Sequence, residues 1–407
     1  MERSSRTLLN DRFVPKHTGS TMQKKKALFV IKEMHMGGSR KSLCSLLNAL
    51  STDEHLDLYL LNMSSTGELL EEVPESVTVL ESTAPMKAYF AGKDEISFVL
   101  LLLKAFLRLL YRFKLGDRIL KYLISSWYKE NPIEYDAVIG GQEGTSDEAA
   151  LIIPGKKHII WFHCDYDKYC TLVDETNKEP IYSQADNIVF VSEKSKSAFS
   201  SKYPNLTDKC IVIRNIIDRK EIIDKAERIP AYRYRGKGLK IVSVGRISGE
   251  KGFDRISKIV KRLQEYNINL EWIIIGGGDL LGQLQVQIRE NKQEDCIHFI
   301  GQVTNPYPVV KQADLYVMTS HFEAQPLVLI EALILGIPVI STDFSSVREV
   351  ISEGENYGAI VDNSVEGISE GILEIVKKDA IPDMKRAALN YRYDNSEIIT
   401  SVERLLI

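Results

Sequence analysis

The sequence lacks any paired cysteine motif. Its five cysteines, Cys44, Cys164, Cys170, Cys210 and Cys296, are odd in number and show no CxxC or CxxH spacing. This excludes a disulfide framework or a structural zinc site as the organising element and points to a reducing, cytosolic compartment. A charge excess is also missing. The 52 Lys and Arg against 56 Asp and Glu leave a formal charge of -4, so charge alone gives no reason to expect a nucleic-acid partner. No uninterrupted apolar run approaches the ~20 residues of a membrane span. Residues 1–21 have no apolar signal core and precede a second methionine, Met22. They read as a disordered leader and not as a secretion signal. Internal repeats and low-complexity tracts are absent as well. The 407 residues still suffice for two or three domains with substantial cores.

What is present is alternation. Short apolar runs at Ala27–Ile31, Leu56–Leu61, Val77–Leu80, Ala137–Ile139, His158–Phe162, Ile188–Val191 and Ile211–Ile213 read as strands, with helical periodicity or polar loops between them. Gly37 and Gly38 lie between the first run and a helical pattern of Leu43, Leu46, Leu47 and Leu50. Such a loop suits either a close backbone approach to a phosphate or sugar, or an ordinary strand-to-helix turn. Arg40 and Lys41 at that helix start oppose its dipole, which points to an anionic ligand or surface nearby.

Residues 96–128 differ from the rest. They are rich in leucine and aromatics, with Lys104, Arg108 and Arg112 at four-residue steps, Lys114, Arg118 and Lys121 beyond, and Gly116-Asp117 as a break. The segment fits one or two basic amphipathic helices on an anionic bilayer, or a pair of core helices whose cations face water.

Two strand ends in this half are eligible for chemistry: Gly140 to Gly144, and His163 in the run IIWFHCDYD. Ligands of open parallel sheets gather at carboxyl ends of strands. Asp165-Tyr166-Asp167 has the spacing of a DxD metal motif, but no further ligands accompany it, and no metal site is expected.

Residues 216–238 are charged, lose strand character and end in Gly236 and Gly238, marking a domain junction. Beyond it, strands are expected at Leu239–Val244, Trp272–Ile275, Ile297–Ile300, Leu315–Thr319, Pro338–Thr342 and Ala359–Val361, alternating with helices in the manner of a doubly wound parallel sheet. Gly245-Arg246 follows the first of these, Lys251 follows in turn, and Gly276-Gly277-Gly278 closes the second. An arginine fork and a lysine point charge both suit a pyrophosphate. In Ser320–Asp343, Pro326 is expected in the first turn of a helix. Leu327, Ile330 and Ile334 are expected on its buried face, with Gly336 at its end. Glu323 then precedes the helix and Glu331 sits about one and a half turns into it, at ~3.6 residues per turn. Carboxylates beside a helix start suit a nucleotide sugar.

As a set, VGRISGEKGFD, IIIGGGD, HFIGQV, ADLYVMTSHFEAQPLVLIEALILGIPVISTD and REVI resemble the retaining nucleotide-sugar glycosyltransferases of family four. KEMHMGGSRKSL, YDAVIGGQEGTSD, the WFH at His163 and VIRNIID extend the resemblance into the first half. It implies an α/β GT-B fold, two Rossmann-like doubly wound parallel-sheet domains facing a cleft. Residues 22–215 would bind the acceptor, 216–238 would link, 239–388 would bind the nucleotide sugar, and a helix in 389–407 would cross back to the N-terminal domain. Arg246 and Lys251 would hold the diphosphate, Glu323 the sugar and Glu331 the ribose. His163 would stand near the reacting face, Gly37 and Gly38 would close over the phosphates, and Gly245, Gly277, Ala324, Gln325, Pro326 and Leu327 would complete the donor site.

The family needs no catalytic metal, so no cofactor is expected beyond the donor itself, with a UDP-sugar favoured. The expected acceptor is a cell-surface glycan: a capsular polysaccharide or exopolysaccharide, a lipid-linked oligosaccharide or teichoic acid. The expected location is the cytoplasm, peripheral on the inner face of the cell membrane through 96–128. Ala324 and Ile216 replace glycines common in the family, and the first bears on donor choice. A non-catalytic subunit that binds acceptor for an active partner, a sugar-nucleotide epimerase on the same architecture and a protein-acceptor glycosyltransferase are the rival readings.

Overall fold

The computed structural model describes residues 24–112, 115–173, 176, 178–236, 238–352 and 354–406. The leader expected at 1–21 lies outside them, as does Lys114 of the basic segment. Two sheets, both wholly parallel, organise the described residues. The first is built from β1 (Lys25–Ile31), β2 (Leu56–Asn62), β3 (Thr78–Leu80), β4 (Ala137–Gly140), β5 (His158–Phe162), β6 (Asn187–Phe190) and β7 (Cys210–Val212), in the order β3-β2-β1-β4-β5-β6-β7. The second is built from β8 (Leu239–Val244), β9 (Leu270–Ile275), β10 (Ile297–Phe299), β11 (Leu315–Met318), β12 (Val339–Thr342) and β13 (Gly358–Val361), in the order β10-β9-β8-β11-β12-β13. Helices cover both faces of each sheet, and this is why most of the strands read as continuous apolar runs instead of alternating ones.

Strand order reverses between β1 and β4 in the first sheet and between β8 and β11 in the second. A crevice opens where the order reverses, because the connections on either side run off in opposite directions. The loop after β1 carries Gly37 and Gly38, that after β8 carries Gly245 and Arg246, and that after β11 carries Glu323. The candidate residues therefore sit at the two switch points.

Three local findings refine the sequence reading. Within 216–238, Arg219–Ala226 forms a helix capped by the Asp218 side chain, and its Ile222 and Ala226 join the core beneath the helix Leu327–Ile334. The chain after Tyr391 returns to the first sheet. Asn395 exchanges hydrogen bonds with Ile217 (3.2 and 2.9 Å), and the helix Ser396–Leu406 buries Ile398, Val402, Leu405 and Leu406 in the cluster that holds the helix Gly38–Leu50. Each such side chain contributes ~1.5–3 kcal/mol when fully buried.

The third finding concerns the basic segment, which forms helices Phe98–Arg112 and Gly116–Glu130. Lys104 belongs to the buried side, not the expected cationic face. Its ammonium donates to the carbonyls of Ala88 and Tyr89 (both 3.3 Å) and of Ala91, at the C-terminal end of the helix Ala84–Phe90. Those carbonyls have no partner within their own helix, and they compensate the lysine for burial. Phe98, Leu102, Phe106 and Leu109, spaced four, four and three apart, are instead 73%, 58%, 56% and 51% exposed.

Candidate active site

In the second domain the site is assembled by close backbone approach. Gly276 and Gly278 adopt φ of +148° and +158°. A Cβ on them would lie 1.9 Å from the Gly245 carbonyl oxygen and 2.3 Å from that of Ile247. Only glycine permits this contact, and it is fastened by the Ile247 N–H donating to the Gly277 carbonyl (2.9 Å). The β8 loop is tied to the β11 loop in turn. The Thr319 hydroxyl donates to the Lys251 carbonyl (2.7 Å) and the His321 N–H to that of Glu250 (2.8 Å).

These ties bring Lys251 Nζ to 2.6 Å from Glu323 Oε1, and the Ser320 hydroxyl donates to the same oxygen (2.8 Å). Ser346 Oγ donates to the Glu323 carbonyl (2.8 Å). Among the described residues the second carboxylate oxygen takes no hydrogen bond, and Arg246 is exposed without an ion pair.

Glu331 lies on the helix Leu327–Ile334, whose other faces are buried. Pro326 precedes the first turn as its cap residue and does not lie inside it. Leu327 packs at the edge of the core that holds Ile330 and Ile334. It is half-buried one turn before Glu331, with its Cδ1 3.7 Å from where a Cβ of Gly38 would stand. The Tyr307 hydroxyl donates to Glu331 Oε1 (2.9 Å), and Lys41 Nζ of the first domain stands 3.7 Å from that oxygen and 4.5 Å from the Tyr307 ring centre, also donating to the Tyr307 hydroxyl. Burial, then the Glu331 carboxylate, raises the Tyr307 phenol well above its ordinary value, so the phenol stays a donor.

The facing wall is centred on His163. Its N–H donates to Glu143 Oε2 (2.9 Å), its ring stacks on Trp161 (5.7 Å, 11°), and its Nδ1 is 3.1 Å from Asn215 Oδ1. Asn215 Oδ1 also accepts from Ser42 Oγ (2.7 Å), while its amide nitrogen donates to Gln325 Oε1 (2.7 Å). With Oδ1 as the acceptor, His163 carries its proton on Nδ1, and Nε2 is left as an acceptor. Burial lowers the His163 pKa to about 4, with the Asn215 bond acting against it. The ring is neutral at pH 7. Burial also raises Glu143, and raises Asp147 more strongly.

The Asn215 bond crosses between the domains. Gln325 Oε1 accepts from both the backbone and side-chain nitrogens of Asn215, and its amide donates to the Tyr393 hydroxyl (3.0 Å), which donates to the Asn215 carbonyl (2.7 Å). Gln325 is therefore occupied at the seam, and Ala324 is buried in the apolar cluster of the first domain. Asp165 caps the helix Tyr166–Leu172 through the Lys168 N–H, and Asp167 pairs with Lys194 (3.8 Å).

The structure thus brings Lys251 to Glu323, Gly38 to Leu327, and His163 through Asn215 to Gln325. Arg246 and Gly277 make no direct contact with Glu323 among the described residues. Sequence reasoning did not find Tyr307, Ser320 and Tyr393. Each is a common polar residue in a loop or helix end, and only the fold aims it at a carboxylate or amide.

Residues 224–393 match the family Glycosyl transferases group 1. That group 1 match includes Arg246, Lys251, Glu323 and Glu331. Among similar proteins, an uncharacterized glycosyltransferase of Methanocaldococcus jannaschii is 29% identical over 44% of this chain and 46% of its own length. The amylovoran biosynthesis glycosyltransferase AmsK of Erwinia amylovora is 27% identical over 35% and 37%. The matched stretches span 46%, 67%, 55% and 37% of the lengths of four curated relatives. The crystal structure of Anabaena HepE in complex with UDP and glucose aligns over 94% of this chain and 99% of its own, with a TM-score of 0.68 at 15% identity. That likeness extends across both sheets, and the fold is GT-B.

Proposed function

We propose that the chain is a retaining glycosyltransferase that moves a hexose or N-acetylhexosamine from a nucleoside diphosphate, UDP favoured, to a cell-surface glycan acceptor. The observation that carries this reading is the Lys251–Glu323 pair at 2.6 Å, beside the exposed Arg246 and on the same domain as Glu331. When the bond between the sugar and the diphosphate breaks, negative charge grows on the phosphate oxygens. Lys251 and Arg246 supply fixed positive charge there, the role a metal ion fills elsewhere, and fixed charge costs no reorganisation as the reaction proceeds. Glu323, turned toward its lysine by Ser320, retains an oxygen for sugar hydroxyls. Glu331, held by Tyr307, does the same for ribose. Neutral His163 offers Nε2 to a hydroxyl near the anomeric carbon, and acceptor attack on the face the phosphate leaves would retain configuration.

The membrane part of the proposal rests on the ridge of Phe98, Leu102, Phe106 and Leu109 with exposed Arg108, Arg118 and Lys121 nearby. Apolar side chains beside cations suit the inner face of an anionic bilayer. Support for a glycan acceptor comes from the amylovoran relative.

Glu323→Ala, Arg246→Ala and Lys251→Ala are each expected to lower UDP-sugar turnover by about 10²–10³-fold, with unchanged circular dichroism. Wild-type turnover in all three variants refutes the assignment.

A further inference from the structure

A concavity also opens away from the donor wall. It is a cleft of about 660 Å³ between the end of β7, the turn Val347–Glu349 and the returning chain around residues 387–401. This volume lies in the range of built ligand sites, about 300–1,000 Å³. Two features of its lining define what it accepts.

The first feature is charge. Five carboxylates face two guanidinium groups in the lining. Arg214 is paired with Glu349 (3.3 Å), and Arg392 donates to the carbonyls of Leu389 and Tyr391 (3.1 and 2.9 Å). Glu193, Glu355, Asp394 and Glu397 remain exposed and without ion pairs among the described residues. A diphosphate or a polyanion is repelled here, the opposite of the Arg246–Lys251 wall.

The second feature is aromatic. Tyr357, Tyr391 and Tyr393 line the cleft, the first two in an edge contact at 5.3 Å. Tyr357 is itself buried, so the half-buried Tyr391 and Tyr393 supply the aromatic surface, which beside carboxylate and amide acceptors matches the C–H faces and hydroxyls of a sugar.

The cleft adjoins the reaction wall. Arg214 lines it and directly precedes Asn215, the partner of His163, and the Tyr393 hydroxyl binds both Gln325 and the Asn215 carbonyl. We infer that this cleft binds a stretch of glycan free of phosphate and carboxylate groups, either neutral or amino-bearing, as an extended acceptor subsite. The assignment rests on the glycosyltransferase reading, and it selects against polyanionic acceptors of the teichoic-acid kind.

Titration calorimetry on the full chain tests it, using chitotetraose, its deacetylated tetramer, a glycerol-phosphate oligomer and spermine as probes. The neutral and amino-bearing tetramers are expected to bind saturably, with Tyr391→Ala weakening both by about tenfold, the loss of one ring contact. Glu397→Lys is expected to weaken the amino-bearing tetramer most. The phosphate oligomer is expected not to bind. The inference is overturned by no binding of either tetramer, by equal binding in both variants, by preference for the phosphate oligomer, or by spermine binding without the neutral tetramer. UDP titration and donor hydrolysis on the same wild-type sample separate the two claims. Donor hydrolysis without glycan binding removes the subsite alone, whereas glycan binding without UDP binding removes the catalytic reading alone.

Discussion

Lys251 and Glu323 are each other's partner before any ligand arrives. A carboxylate that is only 14% exposed would be costly to leave uncompensated, and the lysine supplies the compensation at 2.6 Å. In the proposed reaction an incoming diphosphate would share that lysine, so removing either residue would disturb both. Protonation is set residue by residue as well. His35, after β1, contacts Glu68 through Nδ1 (2.9 Å) and Glu95 through Nε2 (2.8 Å), and its pKa is raised chiefly by the Glu68 hydrogen bond. Its folded value exceeds its unfolded one of about 6.5. The stabilisation is thus complete below that pH and fades as pH rises through the folded value. His163 tilts the curve the other way. Its folded pKa of about 4 means stability is complete above about pH 6.5 and is lost as pH falls toward 4. Denaturant titrations from pH 4.5 to 8.5 are expected to show the stability gap between wild type and His35→Gln shrinking as pH rises. A gap that stays constant removes the His35 account.

At the scale of the element, the strands were the most legible part of the chain. All thirteen strands among the described residues coincide with apolar runs read from the sequence, and for most of them this is because a parallel strand covered on both faces has no polar side to interrupt it. Helices were less legible. Lys104 sits at a spacing that reads as cationic surface, yet it caps a neighbouring helix that its own sequence position does not reveal. The proposed bilayer contact therefore belongs to the Phe98, Leu102, Phe106 and Leu109 ridge. Replacing Phe98, Leu102 and Phe106 with serine is expected to abolish co-sedimentation with phosphatidylserine vesicles while leaving the fold unchanged, since all three are exposed. Retained sedimentation sinks the contact. The helix Ser396–Leu406 gives a second test. Leu405 is 6% exposed in the first domain's cluster, so Leu405→Ala is expected to cost about 2–5 kcal/mol. Exposed Arg404→Ala is expected to stay within about 0.5 kcal/mol. Urea unfolding measures both.

Across the whole molecule, a seam of polar contacts joins the two domains. Lys41 and Glu331 approach to 3.7 Å, Arg214 and Glu349 to 3.3 Å, and Asn215 binds Gln325 through two hydrogen bonds. A cycle of Lys41→Met, Glu331→Gln and the double variant is expected to reveal a coupling of about 0.5–3 kcal/mol in unfolding free energy, as for residues in direct contact. Strictly additive losses would show that the pair contributes nothing to holding the domains. The sequence by itself determined the two parallel sheets, because buried strands and glycine-ended loops leave a local signature of spacing and residue type. It also singled out Arg246, Lys251, Glu323, Glu331 and His163 as residues of the right chemistry at strand and helix ends. Only the tertiary structure decided that Gln325 and Ala324 serve the seam, that Tyr307 and Lys41 hold Glu331, and that an acidic, tyrosine-lined cleft opens at Arg214, next in sequence to the partner of His163. Those contacts join residues far apart in the chain, and no local periodicity encodes which distant side chain will meet which.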